Sequence, residues 1–196
     1  MTPAVCLASA SPRRAQLLAQ IGVAHVVAVA DIDEALLPGE RAADYVLRMA
    51  RGKALAVRAR SAALPVLAAD TTVVLDEGIC GKPRDEADGL AMLERLSGRS
   101  HQVLTAVALA ADNALAVRLS ASEVRFRRLS RAECRAYWHS GEPRDKAGGY
   151  AVQGRAAAFI EHLSGSYSGV MGLPLYETAQ LLAVAGIPLW GQVGVP

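Results

Sequence analysis

Two long extended stretches in the middle of the chain constrain its fold more than any other feature. Residues 102–110 and 115–126 are joined at Asp112 and Asn113, residue types that favour a tight turn between antiparallel strands. In the second stretch, Val124 and Phe126 alternate with arginines, as expected of a strand with one exposed face. The sequence therefore predicts a β-rich region at the centre of the chain.

Segments with helical periodicity and shorter extended runs lie on both sides of this pair. Apolar residues recur at three- and four-residue steps within residues 42–59, and Ser130 with Glu133 matches a capping box, both typical of helices. Helices with their caps are predicted over residues 11–22, 42–59, 85–96, 130–141 and 174–186, and further extended segments over 5–8, 65–69, 72–75, 79–80, 150–153 and 157–163. The order lacks a clean βαβ repeat, so the predicted fold is a mixed α/β sheet with helices on both faces, as two lobes around a cleft.

Length and charge bound the domain count and the class of ligand. A chain of 196 residues, at roughly 150 residues per domain, is one domain or one two-lobed unit, so a single domain is predicted over residues 1–196. The net charge of +2 is too small for the broad basic field of a nucleic-acid-binding protein. The aromatic content of 5% also argues against a module that stacks single-stranded bases. No nucleic-acid partner is therefore expected.

The cysteines and the apolar runs bear on cellular location. Cys6, Cys80 and Cys134 are far apart and form no CxxC pair, which argues against both a disulfide framework and a zinc site. No basic segment precedes an apolar core at the N-terminus, and no run approaches the roughly 18 apolar residues of a membrane span. The sequence predicts a cytoplasmic protein without a membrane partner.

Arginine is the common cation of this chain. It has 18 arginines but only three lysines, Lys53, Lys82 and Lys146. Lysine offers a compact and mobile ammonium where arginine offers a planar fork. We therefore hypothesise that at least two of the lysines mark functional positions, the alternative being chance.

Residues 9–14 combine the groups that hold an anion. Ser9 and Ser11 follow a predicted strand, and Arg13 and Arg14 lie in the first turn of the next predicted helix. Free backbone N–H groups at a helix N-terminus, together with hydroxyl and guanidinium groups, form a site for phosphate. The alternative is an ordinary capped helix whose arginines face water.

Two acidic segments could hold a metal ion or move protons. Asp70 ends the apolar run 65–69 and is followed by Thr71, and the carboxyl ends of strands are where α/β proteins bind ligands. A separate segment carries Asp31, Asp33 and Glu34. Either segment could instead be an ordinary solvated surface.

The glycine-rich segment 141–154 is a third candidate. Gly148 and Gly149 allow the backbone to approach a ligand closely, and Gln153 offers both a donor and an acceptor for a base edge. A tight helix–strand connection is the alternative. Together, the three clusters supply the groups that hydrolysis of a nucleoside triphosphate requires, and the absence of a GxxxxGK[ST] sequence argues against a P-loop enzyme.

Eight collinear segments carry a resemblance to a known family. They are residues 9–14, 33–34, 51–54, 69–71, 81–83, 101–105, 145–154 and 165–174, and all three lysines lie within them. In this order they resemble the Maf family of nucleotide pyrophosphatases along nearly the whole chain. One departure is Ala106, where many members have glycine.

The resemblance implies an α/β fold of the inosine-triphosphate-pyrophosphatase type in a cytoplasmic, commonly homodimeric enzyme that depends on a divalent cation. The implied reaction cleaves between the α- and β-phosphates and gives a nucleoside monophosphate and pyrophosphate. In the family, the aspartate matching Asp70 is the proton acceptor, and residues matching Arg13, Thr71 and Gln153 are linked to substrate choice. Residues 145–150 with Gln153 and Gly154 resemble the branch that acts on dTTP and UTP, and not the branch that acts on 7-methyl-GTP.

These observations lead to a mechanistic hypothesis. Glu34 and Asp70 are expected to hold Mg²⁺ or Mn²⁺, while Asp70 orients or deprotonates the attacking water. The substrate-binding residues are expected to be Ser9, Arg13, Arg14, Lys53, Thr71, Lys82, Lys146 and Gln153. The rival hypothesis is a regulator of cell division or septum formation that binds a nucleotide without hydrolysing it.

Overall fold

The computed structural model describes residues 2–60, 63–112 and 114–190. A single sheet of seven strands runs through this part of the chain. The strands are β1 (Val5–Leu7), β2 (His25–Val27), β3 (Val66–Leu75), β4 (Gly78–Cys80), β5 (Ser100–Ala111), β6 (Ala114–Phe126) and β7 (Ile160–Ser164). The helices are α1 (Pro12–Gln20), α2 (Ala42–Arg60), α3 (Glu86–Leu96), α4 (Arg131–His139), α5 (Tyr167–Met171) and α6 (Leu175–Val184).

The sheet is mixed. Its order is β2-β1-β3-β5-β6-β7, with β4 also paired to β3. The short strand β1 runs parallel to both β2 and β3, whereas all other pairs are antiparallel. The long pair β5–β6 is the predicted central hairpin; Asp112 in its turn has a positive φ of 49°, and Asn113 lies outside the described residues. The predicted mixed α/β fold is confirmed.

Helices cover both faces because side chains alternate along β3. Val66 and Ala68 pack with α2 in one cluster of buried residues, whereas Leu67 and Ala69 pack with α1 and α6 in another. A third cluster joins α3 and α4 to the far end of β3, including Val73. No helix of the described residues is long and apolar enough to cross a membrane.

The edge of β3 has a gap that positions the candidate site. β1 pairs with β3 at Val66 and Leu67, and β4 pairs with it only from Val73 onward. Among the described residues, no strand therefore pairs with residues 68–72 along this edge. Side chains from both faces of β3 can reach the same space there.

Several predicted elements differ from the structure. Residues 150–153 are not a strand, because they bend into a turn in which Gly154 N–H donates to the Ala151 carbonyl at 3.0 Å. The start of the predicted strand 157–163 is a 3-10 helix, and β7 begins only at Ile160. The strand β2 and the helix α5 were not predicted from the sequence. Tyr150 and Val152 are buried in the third cluster. Their spacing resembles that of a strand, but it reflects burial in this cluster and not pairing with another strand.

The helix caps follow the sequence more closely. Asp85 accepts a hydrogen bond from the Asp88 N–H at the start of α3, and Ser130 with Glu133 forms the predicted capping box of α4. Ser11 is the N-cap of α1 but makes no side-chain capping bond. These signals were readable because each depends on neighbours within one helical turn.

Candidate active site

A cavity of about 530 Å³ lies at the gap beside β3. All ten predicted site residues line it: Ser9, Arg13, Arg14, Glu34, Lys53, Asp70, Thr71, Lys82, Lys146 and Gln153. Ala8 also lines it and belongs to the buried cluster that packs against α2, and Val73 lines it and belongs to the third cluster. The cavity therefore lies between two parts of the core. Segments from most of the chain length therefore converge on one cleft.

Lys53 joins two carboxylates at the centre of the cavity. Its Nζ lies 2.7 Å from Asp70 Oδ1 and 2.8 Å from Glu34 Oε1. The Lys53 and Asp70 side chains are only 11% and 10% exposed, whereas that of Glu34 is 50% exposed. One ammonium therefore bridges two carboxylates, one from the sheet and one from a surface loop.

The position of Asp70 differs from the sequence prediction. Asp70 was expected to terminate a strand, but β3 continues through it to Leu75. It lies in the middle of the strand, opposite Ala106 of β5. The gap between β1 and β4, and not the end of β3, gives the carboxylate access to the cavity.

The charge of Glu34 is stabilised by the surrounding cations. Partial burial disfavours its ionisation, but the hydrogen bond and charge of Lys53, with Lys82 and Arg14 nearby, outweigh it. The pKa of Glu34 therefore lies below its ordinary value. This carboxyl is an anion at neutral pH and can accept hydrogen bonds or ligate a cation.

The loop that carries Glu34 is fixed to α2 by side chains. The Tyr45 hydroxyl donates to the Glu34 carbonyl at 3.1 Å, and Arg48 donates to the Ala35 carbonyl at 2.9 Å. Arg48 also binds both carboxylate oxygens of Glu40 at 2.6 Å. Burial, followed by the charges of Asp70 and Glu34, raises the pKa of Tyr45 to about 12. The Tyr45 hydroxyl therefore stays protonated and remains a donor.

The start of α1 forms the anion-binding end of the cavity. Ser9 Oγ accepts from the Ser11 N–H at 3.1 Å and from Arg14 at 3.3 Å. Arg14 also donates to Thr71 Oγ1 at 3.3 Å and to the Gly172 carbonyl at 2.7 Å. Desolvation by burial lowers the pKa of Arg14, although Asp70 opposes this shift. Arg14 is therefore fixed by three protein acceptors rather than facing water.

The other cations of the cavity are less constrained. Among the described residues, Arg13 and Lys82 have no hydrogen-bond or ion-pair partner, and the Lys82 side chain is exposed. Lys146 pairs with the neighbouring carboxylate of Asp145. Arg13 and Lys82 can therefore turn toward an anion without breaking an existing contact.

The glycine-rich segment closes the opposite side. Gly148 has a φ of +69°, and a Cβ there would lie 2.9 Å from a methyl group of Val73. The segment is thus both a tight connection between helix α4 and strand β7 and part of the cavity wall. Gln153 is exposed in this wall and makes no hydrogen bond to another described residue, so its amide is available to a ligand.

Comparison with known proteins identifies the family of this chain. The family model described as Maf-like protein matches residues 4–185. The chain belongs to the Maf family.

Several similar proteins match this chain along nearly its whole length. Relatives from Methylobacillus flagellatus and Bordetella avium are each 54% identical to it, over 95% of this chain and 95% and 98% of their own length. One from Alkalilimnicola ehrlichii is 55% identical over 92% of both chains. All three are named dTTP/UTP pyrophosphatase. The solved structure of the Staphylococcus aureus Ham1 protein matches over 62% of this chain and 71% of its own, at 14% identity and a TM-score of 0.42.

Two side chains at this Maf site were not predicted from the sequence. Tyr45 lines the cavity, and nothing in its local pattern distinguishes it from other residues of α2. Thr105 donates to the Gly169 carbonyl at 2.7 Å and lies 3.0 Å from the Thr71 hydroxyl. A lone hydroxyl within the apolar run 103–110 was the available signal for Thr105.

Proposed function

We propose that this chain is a nucleoside triphosphate pyrophosphatase that cleaves dTTP and UTP between the α- and β-phosphates. The products are the nucleoside monophosphate and pyrophosphate. The observation that carries this proposal is the convergence of three groups of side chains on one cavity. They are the cations Arg13, Arg14, Lys82 and Lys146, the Glu34–Lys53–Asp70 cluster, and the amide of Gln153. The names of the three relatives support the same reaction and the same substrates.

We also propose that Glu34 and Asp70 hold a divalent cation, Mg²⁺ or Mn²⁺. Carboxylate oxygens are suitable ligands, and one positive group, the Lys53 ammonium, already reaches both carboxylates. The described residues contain no group of three or more His, Cys, Asp or Glu that could hold a metal ion. Two protein carboxylates with substrate phosphates and water are a usual ligand set for Mg²⁺. When bound, the cation would lower the pKa of water and neutralise phosphate charge.

Asp70 is proposed to accept the proton of the attacking water. Its carboxylate is nearly buried and its Oδ1 is fixed by Lys53 at 2.7 Å, which leaves the other oxygen for a water molecule. A positioned carboxylate of this kind contributes typically 10²–10⁴-fold to a rate. Lys53 supports this role because it holds the Asp70 carboxylate in place before the cation binds.

The cations would bind the polyphosphate and stabilise the leaving pyrophosphate. Arg13, Lys82 and Lys146 can approach phosphate oxygens from different sides of the cavity, while Ser9 and the N–H groups of α1 add hydrogen bonds. Arg14 uses one N–H of each terminal nitrogen on Ser9 and Thr71, so a second N–H on each remains for phosphate. The cations thus surround the charge that develops in the transition state.

Gln153 is proposed to select the pyrimidine, while Thr71 and Arg13 fix the position of the nucleotide. The amide of Gln153 can pair with the O4 and N3–H edge of uracil or thymine, because an amide offers both an acceptor and a donor. A wrong base would leave the amide unpaired, at a cost of roughly 1–3 kcal/mol. This corresponds to about tenfold to a hundredfold selectivity.

A panel of nucleotide substrates, assayed with and without a divalent cation, tests the proposed pyrophosphatase activity. Pyrophosphate release is measured with dTTP, UTP, CTP, dATP and GTP, with Mg²⁺, with Mn²⁺ and with EDTA. We expect dTTP and UTP to be the best substrates, and EDTA to abolish turnover. Preference for a purine would contradict the assignment, and binding of dTTP without turnover would favour the cell-division regulator.

Three broader features remain part of the proposal. Residues 1–196 would form a single nucleotide-hydrolysing domain, the enzyme would be a homodimer, and it would act in the cytoplasm. The cavity is lined by residues from Ala8 to Gly172, which supports one functional unit along the chain.

A further inference from the structure

Residues 165–174 resemble a family segment but have no role in the reaction proposed above. They include α5, and Val170, Met171 and Gly172 line the cavity. The Gly172 carbonyl accepts from Arg14 Nε at 2.7 Å, and the Gly169 carbonyl accepts from Thr105 Oγ1 at 2.7 Å. This segment therefore anchors two side chains behind the site.

Thr105 lies directly behind Thr71. The two residues are opposite each other on β5 and β3, and their hydroxyl oxygens are 3.0 Å apart. Thr105 is only 1% exposed and is not among the residues that line the cavity. Any effect of Thr105 on a bound nucleotide must therefore pass through its neighbours.

The direction of the hydrogen bonds follows from proton counting. A carbonyl can only accept, so Thr105 uses its single hydroxyl proton on the Gly169 carbonyl. In the Thr71–Thr105 contact, Thr71 must then be the donor. Thr71 also accepts from Arg14. Its hydroxyl therefore offers the cavity one remaining lone pair and no proton.

Gly172 keeps this network compact. Its φ of +119° favours glycine. The Gly172 N–H also donates to the Gly169 carbonyl at 2.9 Å, so both anchoring carbonyls belong to one backbone turn. The acceptors of Arg14 and Thr105 are consequently fixed relative to each other.

We propose that Thr105 is a positioning residue that holds Thr71 as a hydrogen-bond acceptor toward an O–H or N–H donor of the bound nucleotide. The inference rests on the proposed nucleotide site. Without the Thr105 hydroxyl, Thr71 loses its acceptor, its hydroxyl rotates freely, and its lone pair no longer points reliably at the ligand. Thr71 touches the nucleotide, and Thr105 acts only through it.

A double-mutant cycle tests this coupling. Dissociation constants for dTTP are measured by calorimetry in EDTA, so that no turnover occurs, for wild type, Thr71→Val, Thr105→Val and the double variant. We expect each single variant to weaken binding by about fivefold, the usual scale of one net hydrogen bond. The double variant should also lose about fivefold, because both changes remove the same contact. Additive effects, about 25-fold in the double variant, would overturn the proposal, as would Thr105→Val binding within twofold of wild type.

Matched variants separate positioning from general structure. Thr105→Ser keeps the hydroxyl and should restore binding, whereas failure of this rescue would contradict the proposal. Thr178→Val changes a threonine that is equally buried but has no hydrogen-bond partner for its Oγ1 among the described residues, and it should bind dTTP like wild type. If Thr105→Val does not fold, Thr105→Ala replaces it in the cycle. Wild type that binds dTTP but does not hydrolyse it with Mg²⁺ would refute the proposed function, while the cycle would still decide the role of Thr105.

Discussion

At the scale of single residues, Lys53 controls the electrostatics of the site. Its ammonium contacts Glu34 and Asp70 within 2.8 Å, which offsets the repulsion between the two carboxylates. The same contacts mean that a cation binding both carboxylates must take over the role of Lys53. Lys53 is then free to turn toward the phosphates, which suits a mobile point charge better than a planar guanidinium.

Replacing Lys53 by methionine tests this account. The Lys53→Met variant leaves Asp70 buried without a counterion, so the free energy of unfolding without metal should fall by about 3 kcal/mol. Added Mn²⁺ should raise the melting temperature of this variant more than that of wild type, because the two carboxylates then lack another cation. Chemical denaturation and thermal melts measure both effects.

Lys146→Met is the matched control for this change. Lys146 pairs with Asp145, whose side chain is 71% exposed, so its loss should cost less than about 1 kcal/mol. Equal stability losses in the two variants, or the same Mn²⁺ response in Lys53→Met and wild type, would contradict the role given to Lys53.

Buried polar contacts between elements support the cavity wall. His101 at the start of β5 hydrogen-bonds the Tyr150 hydroxyl at 2.8 Å, and both rings pack against Phe126. Tyr150 lines the cavity, whereas His101 lies behind it. Burial lowers the pKa of His101 to about 4. The imidazole behind the wall is therefore neutral at physiological pH.

Because the His101 imidazole is buried, we expect the stability of the folded protein to depend on pH. Below its ordinary pKa of 6.5, the unfolded chain protonates His101, while the folded chain does so only near pH 4. The free energy of unfolding should therefore fall between these values, with His101 contributing about 3 kcal/mol of the loss. Urea denaturation of wild type and His101→Gln from pH 7 to pH 4 measures this contribution, since other groups titrate equally in both proteins.

The His101→Gln profile should be the flatter of the two. His162→Gln replaces an exposed histidine of β7 and should leave the profile of wild type unchanged. Parallel profiles for wild type and His101→Gln would contradict the account of the buried His101–Tyr150 pair.

At the scale of the whole molecule, the sequence predicted local features better than long-range ones. The capping box of Ser130 and Glu133 and the β5–β6 hairpin depend on nearby residues, and both are present. β2 was missed because three residues carry little pattern and are defined by pairing with β1.

The candidate site also combines features that could be predicted from local sequence with features that could not. Its charged residues could be chosen because lysines are rare and because the segments resemble a family in order. The gap beside Asp70 could not be predicted, since it depends on where β1 ends and β4 begins along β3. Thr105 was missed for a related reason, because its role depends on a residue of another strand and a carbonyl of α5.

The central claim is that Asp70 activates water at a pyrimidine triphosphate site, and the Asp70→Asn variant tests it most directly. Asparagine keeps the shape of the side chain but cannot accept the proton, so kcat for dTTP should fall by about a thousandfold. Asp76→Asn, at an exposed acid paired with Arg99, should retain full activity. A kcat for Asp70→Asn within about tenfold of wild type, in metal-saturated pyrophosphate-release assays, would contradict the account, since a proton acceptor contributes at least about a hundredfold.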